Sequence, residues 1–144
     1  MLTKDYPDHH DAELVLKLYD LRRENIMRDS RAAISAKYWP KSADEAVAVM
    51  KPDHPLNAAF RQVVTYWEMV YGMVKWGILH ADFTLESSSE GLYVFAKAER
   101  YLEQIRAGNP SYFVNAEWVT THSETGRRHL ERYRERVRRM VETK

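Results

Sequence analysis

The 144-residue chain contains no cysteine. That excludes a disulfide framework, a thiol nucleophile, a CxxC redox pair and a cysteine-held iron–sulfur cluster. Glycine and proline are scarce, at five each, and fall mainly between periodic segments. Strand-like alternation, Asn-Gly and Asp-Gly hairpin turns and internal repeats are also missing, which argues against a β or solenoid architecture. No apolar run approaches the roughly 20 residues of a membrane span. The longest, Met69 to Leu79, is interrupted by Lys75. The opening MLTKDYPDHHD has no apolar core of a secretory signal. A formal net charge of +1 gives no global attraction to nucleic acid or an anionic membrane. The expectation is a cytoplasmic protein with no membrane segment.

Hydrophobic residues make up 44% of the chain and charged residues 30%. A chain of this size can bury roughly 69% of its surface, enough for a core without staples. The reading is a single domain over 1–144, frayed at about 1–8.

Helical periodicity runs through most of the chain. From about Asp8 to Trp39, Leu14, Val15, Leu18, Leu21 and Ile26 recur at helical spacing, followed by Ala32, Ala33 and Ala36. Pro40 ends that helix. Three capping boxes follow: Ser42–Glu45, Ser87–Glu90 and Thr121–Glu124. Between them, Pro55 to Leu79 reads as a central helix. It has one apolar stripe of Leu56, Phe60, Val63, Val64, Trp67, Val70, Val74 and Ile78, and a second of Tyr66, Met69, Met73 and Trp76. A helix apolar on two sides is buried on both, or faces the core on one and a partner on the other. Gly108 reads as a left-handed C′ residue, and Asn109-Pro110 as the start of a short helix. The fold class is all-α: an antiparallel bundle of about four main helices plus short ones.

Candidate sites are few. Asp8-His9-His10-Asp11 looks like a metal cluster, but neighbouring residues do not share a helix face, so it reads as a polar N-terminus. His80 reads as a dipole-favouring residue near the end of the central helix. The remaining histidines lack a zinc-type i+3 or i+4 partner, and no phosphate loop or Gly-x-Ser-x-Gly turn is present. No metal or cofactor is expected. The segment from Glu124 to Lys144 holds seven Arg and one Lys against four Glu, a local net of +4. Arg127, Arg128, Arg132, Arg134, Arg138 and Arg139 are its candidate phosphate contacts. The arginines surround the helix instead of lining one face, and Glu131 and Glu135 lie within pairing distance of several, so nucleic acid is the lesser reading.

Glu68 sits among apolar neighbours on the central helix. If buried, it needs a partner from outside that helix. Arg22 and Arg23 on the first helix are the predicted partners, in a structural ion pair. Leu21-Arg22-Arg23-Glu24, followed by Arg28 and Arg31, and Trp67-Glu68 continuing to Gly77-Ile78-Leu79 also resemble an uncharacterised family of small bacterial helical domains. That family pairs an Arg-Arg-Glu helix with an aromatic-Glu helix ending in Gly-Leu or Gly-Ile. The resemblance covers about residues 14 to 140. It implies an all-helical fold with no established activity, and supports an arginine–glutamate contact without making it catalytic. Members often carry a membrane segment ahead of the domain; none is expected here.

The function read from the sequence is a non-catalytic helical protein-interaction or structural module, with a homodimer through Tyr66, Met69, Met73 and Trp76 as one form of it. The alternatives are a nucleic-acid binder using the final helix, and an enzyme with an inter-helix site near Arg22, Arg23 and Glu68.

Overall fold

A computed structural model describes residues 4–143. Among these, nine α-helices and no strand are found: α1 (His9–Arg23), α2 (Asn25–Lys37), α3 (Ala43–Ala48), α4 (Asn57–Lys75), α5 (Ala81–Ser87), α6 (Glu90–Ala98), α7 (Leu102–Gly108), α8 (Val114–His122) and α9 (Glu124–Thr143). A 3-10 turn, Glu99–Tyr101, joins α6 to α7. The fold is all-helical, as the periodicity requires. No helix of the described residues is long and apolar enough to cross a membrane.

Helix α4 is the axis of the packing. Its residues Phe60, Val63, Val64, Trp67, Val70, Tyr71 and Val74 are buried. It lies against α2 on one side and α8 on another, and α9 covers α6 and α8. The wide apolar arc over Pro55–Leu79 therefore meets several neighbours at once.

The first helix is not continuous. At Glu24 the backbone turns extended, with φ −60° and ψ 144°, and the Glu24 carboxylate accepts from the Met27 amide at 3.1 Å. Glu24 is thus the N-cap of α2, a role more usual for Ser, Thr, Asp or Asn. The break shifts the helical phase. Met27, Ser30 and Ile34 face inward, whereas Leu21 and Ile26, expected in the first stripe, are exposed. Helix α4 also stops four residues before Leu79. Gly77 takes a left-handed φ of 76°, cheap only for glycine, and the amides of Ile78 and Leu79 both return to the Met73 carbonyl.

Local capping signals fared unevenly. Ser42 caps α3 as read, accepting from Glu45 N at 3.1 Å. The Ser87–Glu90 box does not form: Ser87 ends α5, and Ser89 begins α6 with no side-chain cap bond. The cap before α9 is Ser123, whose Oγ accepts from Gly126 N at 3.1 Å. Gly108 closes α7, and the extended residue after it is Asn109. Residues 109–113 form a turn that ends at Phe113, with φ 63°, so α8 starts at Val114.

Residues 1–3 of the segment expected to fray lie outside the described residues. Of residues 4–8, Lys4 and Asp5 make contacts with the rest of the fold, whereas Tyr6 is exposed. Lys4 Nζ bonds Asp11 Oδ2 at 2.9 Å and the Ile78 carbonyl at 3.2 Å, and the Asp5 carbonyl lies 3.1 Å from His80 Nε2.

Candidate functional site

Arg22 follows Leu18 by four residues on the buried face of α1, so only 6% of this charged residue is exposed. Its guanidinium lies over the Trp67 ring at 5.2 Å and the Tyr19 ring at 5.4 Å. Nη1 donates to Tyr66 Oη at 3.3 Å and Ser88 Oγ at 3.4 Å, and Nη2 donates to the Ser87 carbonyl at 3.4 Å. Tyr66 Oη in turn donates to the Leu18 carbonyl at 2.5 Å. Burial pushes the Tyr66 hydroxyl pKa above its usual value, against the pull of Arg22. Ser88, fully buried, also accepts from Tyr71 Oη through its carbonyl at 2.9 Å. Helix α6 comes this close because residue 91 is glycine: a Cβ there would stand 2.6–2.7 Å from Trp67 and Tyr71.

Around Arg22 opens a cleft of about 400 Å³ lined by Arg23, Arg31, Glu86, Glu90, Tyr133 and their neighbours. Arg31 Nε pairs with Glu90 Oε2 at 2.8 Å, and its Nη1 donates to the Arg22 carbonyl at 3.4 Å. Arg23 is exposed and lies over the same Tyr19 ring at 5.6 Å.

The ion pair expected between Glu68 and Arg22 or Arg23 is not what the structure holds. Glu68 does look outside its helix, but to amides. Oε1 accepts from Asn115 N at 2.8 Å and Oε2 from Ala116 N at 2.8 Å, at the first turn of α8. Unpaired amides and the positive end of the helix dipole serve a carboxylate as well as a cation would. Burial raises the Glu68 pKa, while the two amide bonds oppose that rise. The local sequence could not announce this cap, because Phe113 has no side-chain oxygen and the acceptor lies 47 residues upstream.

Of the expected interaction stripe, Tyr66 drops out: it is 8% exposed and its hydroxyl is committed to Arg22 and Leu18. Met69 is 42% and Trp76 76% exposed, with Met73 half-buried between them. Met69 stands between two grooves. One, of about 390 Å³, runs along α2 and includes Leu21 and Glu24. The other, of about 680 Å³, faces the 109–115 turn and includes Arg61 and Val114.

The arginines of α9 are largely engaged on the molecule itself. Arg134 pairs with Glu99 at 2.7 Å, Arg128 with Glu124 at 3.7 Å and Arg138 with Glu135. Arg127 donates to the Thr121 carbonyl at 3.1 Å, and Arg132 lies 2.6 Å from His129 Nδ1. Arg139 is exposed.

The acidic end of the His-His-Asp stretch has a structural task. Asp11 is fully buried and closes a capping box with Asp8. Its Oδ1 accepts from His80 N at 2.7 Å. Burial alone would raise its pKa, but the bonds from Lys4, His80 and Asp8 outweigh that and hold it at about 2. His80 is the N-cap of α5, with Nδ1 accepting from Phe83 N at 3.1 Å, and does not end α4. No cluster of three metal-binding side chains occurs among the described residues. One buried cation escaped the sequence reading: Lys97 donates to the Ile34 and Ser35 carbonyls at the end of α2 and lies 3.9 Å from the Trp39 ring centre.

Residues 7–123 match the family model described as Domain of unknown function (DUF4760). The match holds both motif segments, 21–31 and 67–79, and ends at Ser123, immediately before α9. No curated protein and no solved structure matches the chain.

Proposed function

The chain belongs to the DUF4760 family, and we propose that it is a non-catalytic helical interaction module that pairs with a second copy of itself across the outer face of α4. The observation that carries this reading is the exposed pair Met69 and Trp76, two turns apart on α4 and its C-cap, with Met69 lining two open grooves. Helices associate by seating the ridges of one in the grooves of another. A two-fold interface requires a surface that complements itself. With the axis along this pair, Met69 and Trp76 each meet their own counterparts. The same axis sets the groove containing Glu24 against the groove containing Arg61 on the second copy; the carboxylate of that second groove, Glu68, is already held by the Asn115 and Ala116 amides. Methionine and tryptophan are also among the residue types enriched at interfaces. The buried hydroxyls of Tyr66 and Ser88 accept from an arginine, which supports a structural role for them over a catalytic one.

The cysteine-free chain offers a clean test. Met69→Cys places a single thiol on the proposed axis. Mild oxidation gives a disulfide-linked dimer of this variant in high yield at micromolar concentration. A Lys51→Cys control, exposed and distant in sequence from the pair, does not cross-link. Equal cross-linking of the two variants, or none at position 69, contradicts the reading.

A further inference from the structure

We propose that the cleft at the α1–α2 break binds a phosphate monoester, held by Arg22 and Arg23. This inference is independent of the α4 face. Arg22 is 94% removed from solvent, yet none of the ion pairs among the described residues includes it. Burying a cation without a counter-charge costs several kcal/mol. Hydroxyls, a carbonyl and two ring faces offset only part of that. They occupy three of the five guanidinium N–H donors. Arg23 brings a second guanidinium onto the same Tyr19 ring, so two like charges share one wall of the cleft.

Trp67 also lines the cleft, and its Nε1–H is buried with no hydrogen-bond partner, so its indole reports on whatever occupies the site. The start of α6 contributes no free donor: the Gly91 and Leu92 amides lie at the buried Tyr71 hydroxyl, and the Leu92 amide also donates to the Ser89 carbonyl at 2.9 Å.

The carboxylates of the cleft do not fill this need. Glu90 is matched by Arg31 at 2.8 Å, and Glu86 is exposed. Two guanidiniums on one wall match a dianionic phosphate with three terminal oxygens better than a single carboxylate, which one arginine fork already satisfies. About 400 Å³ holds a phosphate with a small organic remainder.

The test is a titration of the nitrogen-15-labelled full chain with inorganic phosphate and with glycerol 3-phosphate, against chloride at matched ionic strength. Four tryptophans give four indole N–H resonances, and Trp67→Phe identifies the relevant one. The Trp67 resonance moves saturably with both phosphates, and not with chloride. Arg23→Gln, an exposed change that leaves the fold intact, weakens the response by about tenfold, the loss of one charge-assisted bond. Arg22→Gln abolishes it if the variant folds. A Trp67 resonance that stays still up to ~10 mM of either phosphate overturns the proposal. So does a shift matched by chloride, a response insensitive to Arg23→Gln, or one removed by Arg127→Gln with Arg128→Gln, which would place the anion on α9. Binding of inorganic phosphate with rejection of the ester overturns the assignment to a monoester.

Discussion

Asn115 donates twice to Glu68: its backbone amide to Glu68 Oε1 at 2.8 Å, and its Nδ2 to the Glu68 carbonyl at 3.0 Å. A residue in the middle of α4 therefore caps α8, and α8 grips the backbone of α4 in return. Gly72 makes room for the clasp, since a Cβ there would stand 2.9 Å from Asn115 Nδ2.

Glu68→Ala removes both acceptors from the first turn of α8. The expected loss is about 1–2 kcal/mol in urea unfolding, the range of a lost N-cap. Amide exchange at Asn115 and Ala116 quickens more than exchange in α2, which Glu68 does not cap. A uniform change over all helices, or none, removes the capping role.

Gly91→Ala tests the approach of α6 to α4. Alanine is the better helix former by about 1 kcal/mol. Its Cβ, however, would lie 2.6 Å from Trp67 Cγ and 2.7 Å from Tyr71, both buried rings with little freedom to move. Overpacking of this kind costs about 1–3 kcal/mol, so the variant unfolds at lower urea than the parent chain. Equal or greater stability would mean that the rings shift without penalty.

The pH dependence at the acid end belongs to Asp11. Its folded-state pKa of about 2 lies below the ordinary 3.8. A carboxyl that is a stronger acid when folded stabilises the fold while it is ionised. That contribution, on the order of 2 kcal/mol, is complete above about pH 5 and is lost as the pH falls toward 2. Asp11→Asn lowers the melting temperature at pH 7 and flattens the fall between pH 5 and 2. Parallel acid limbs for the two proteins would refute the assignment.

The all-helical fold and the centrality of α4 were readable because apolar residues from Phe60 to Val74 recur at helical spacing, and spacing is a local property. The Arg22 and Glu68 sites were readable as residues but not as partners. Glu68 was recognised as a polar group in an apolar setting, and Arg22 only as its expected partner. Each is satisfied by elements 44 to 66 positions away, which no local pattern encodes. Glu24 shows the same limit at short range: a glutamate reads as a helix former, and only the geometry shows it capping α2. Ser87–Glu90 shows the reverse, a good capping pattern whose serine hydroxyls bond elsewhere: Ser87 with Ser88, Ser88 with Arg22 and Ser89 with Tyr133.

Sedimentation equilibrium on the unmodified chain bears most directly on the self-pairing assigned to α4. The account predicts a concentration-dependent rise from 17.0 kDa to about 34 kDa, twice the chain mass, abolished by Met69→Glu with Trp76→Glu. A constant 17.0 kDa at the highest attainable concentration would contradict it.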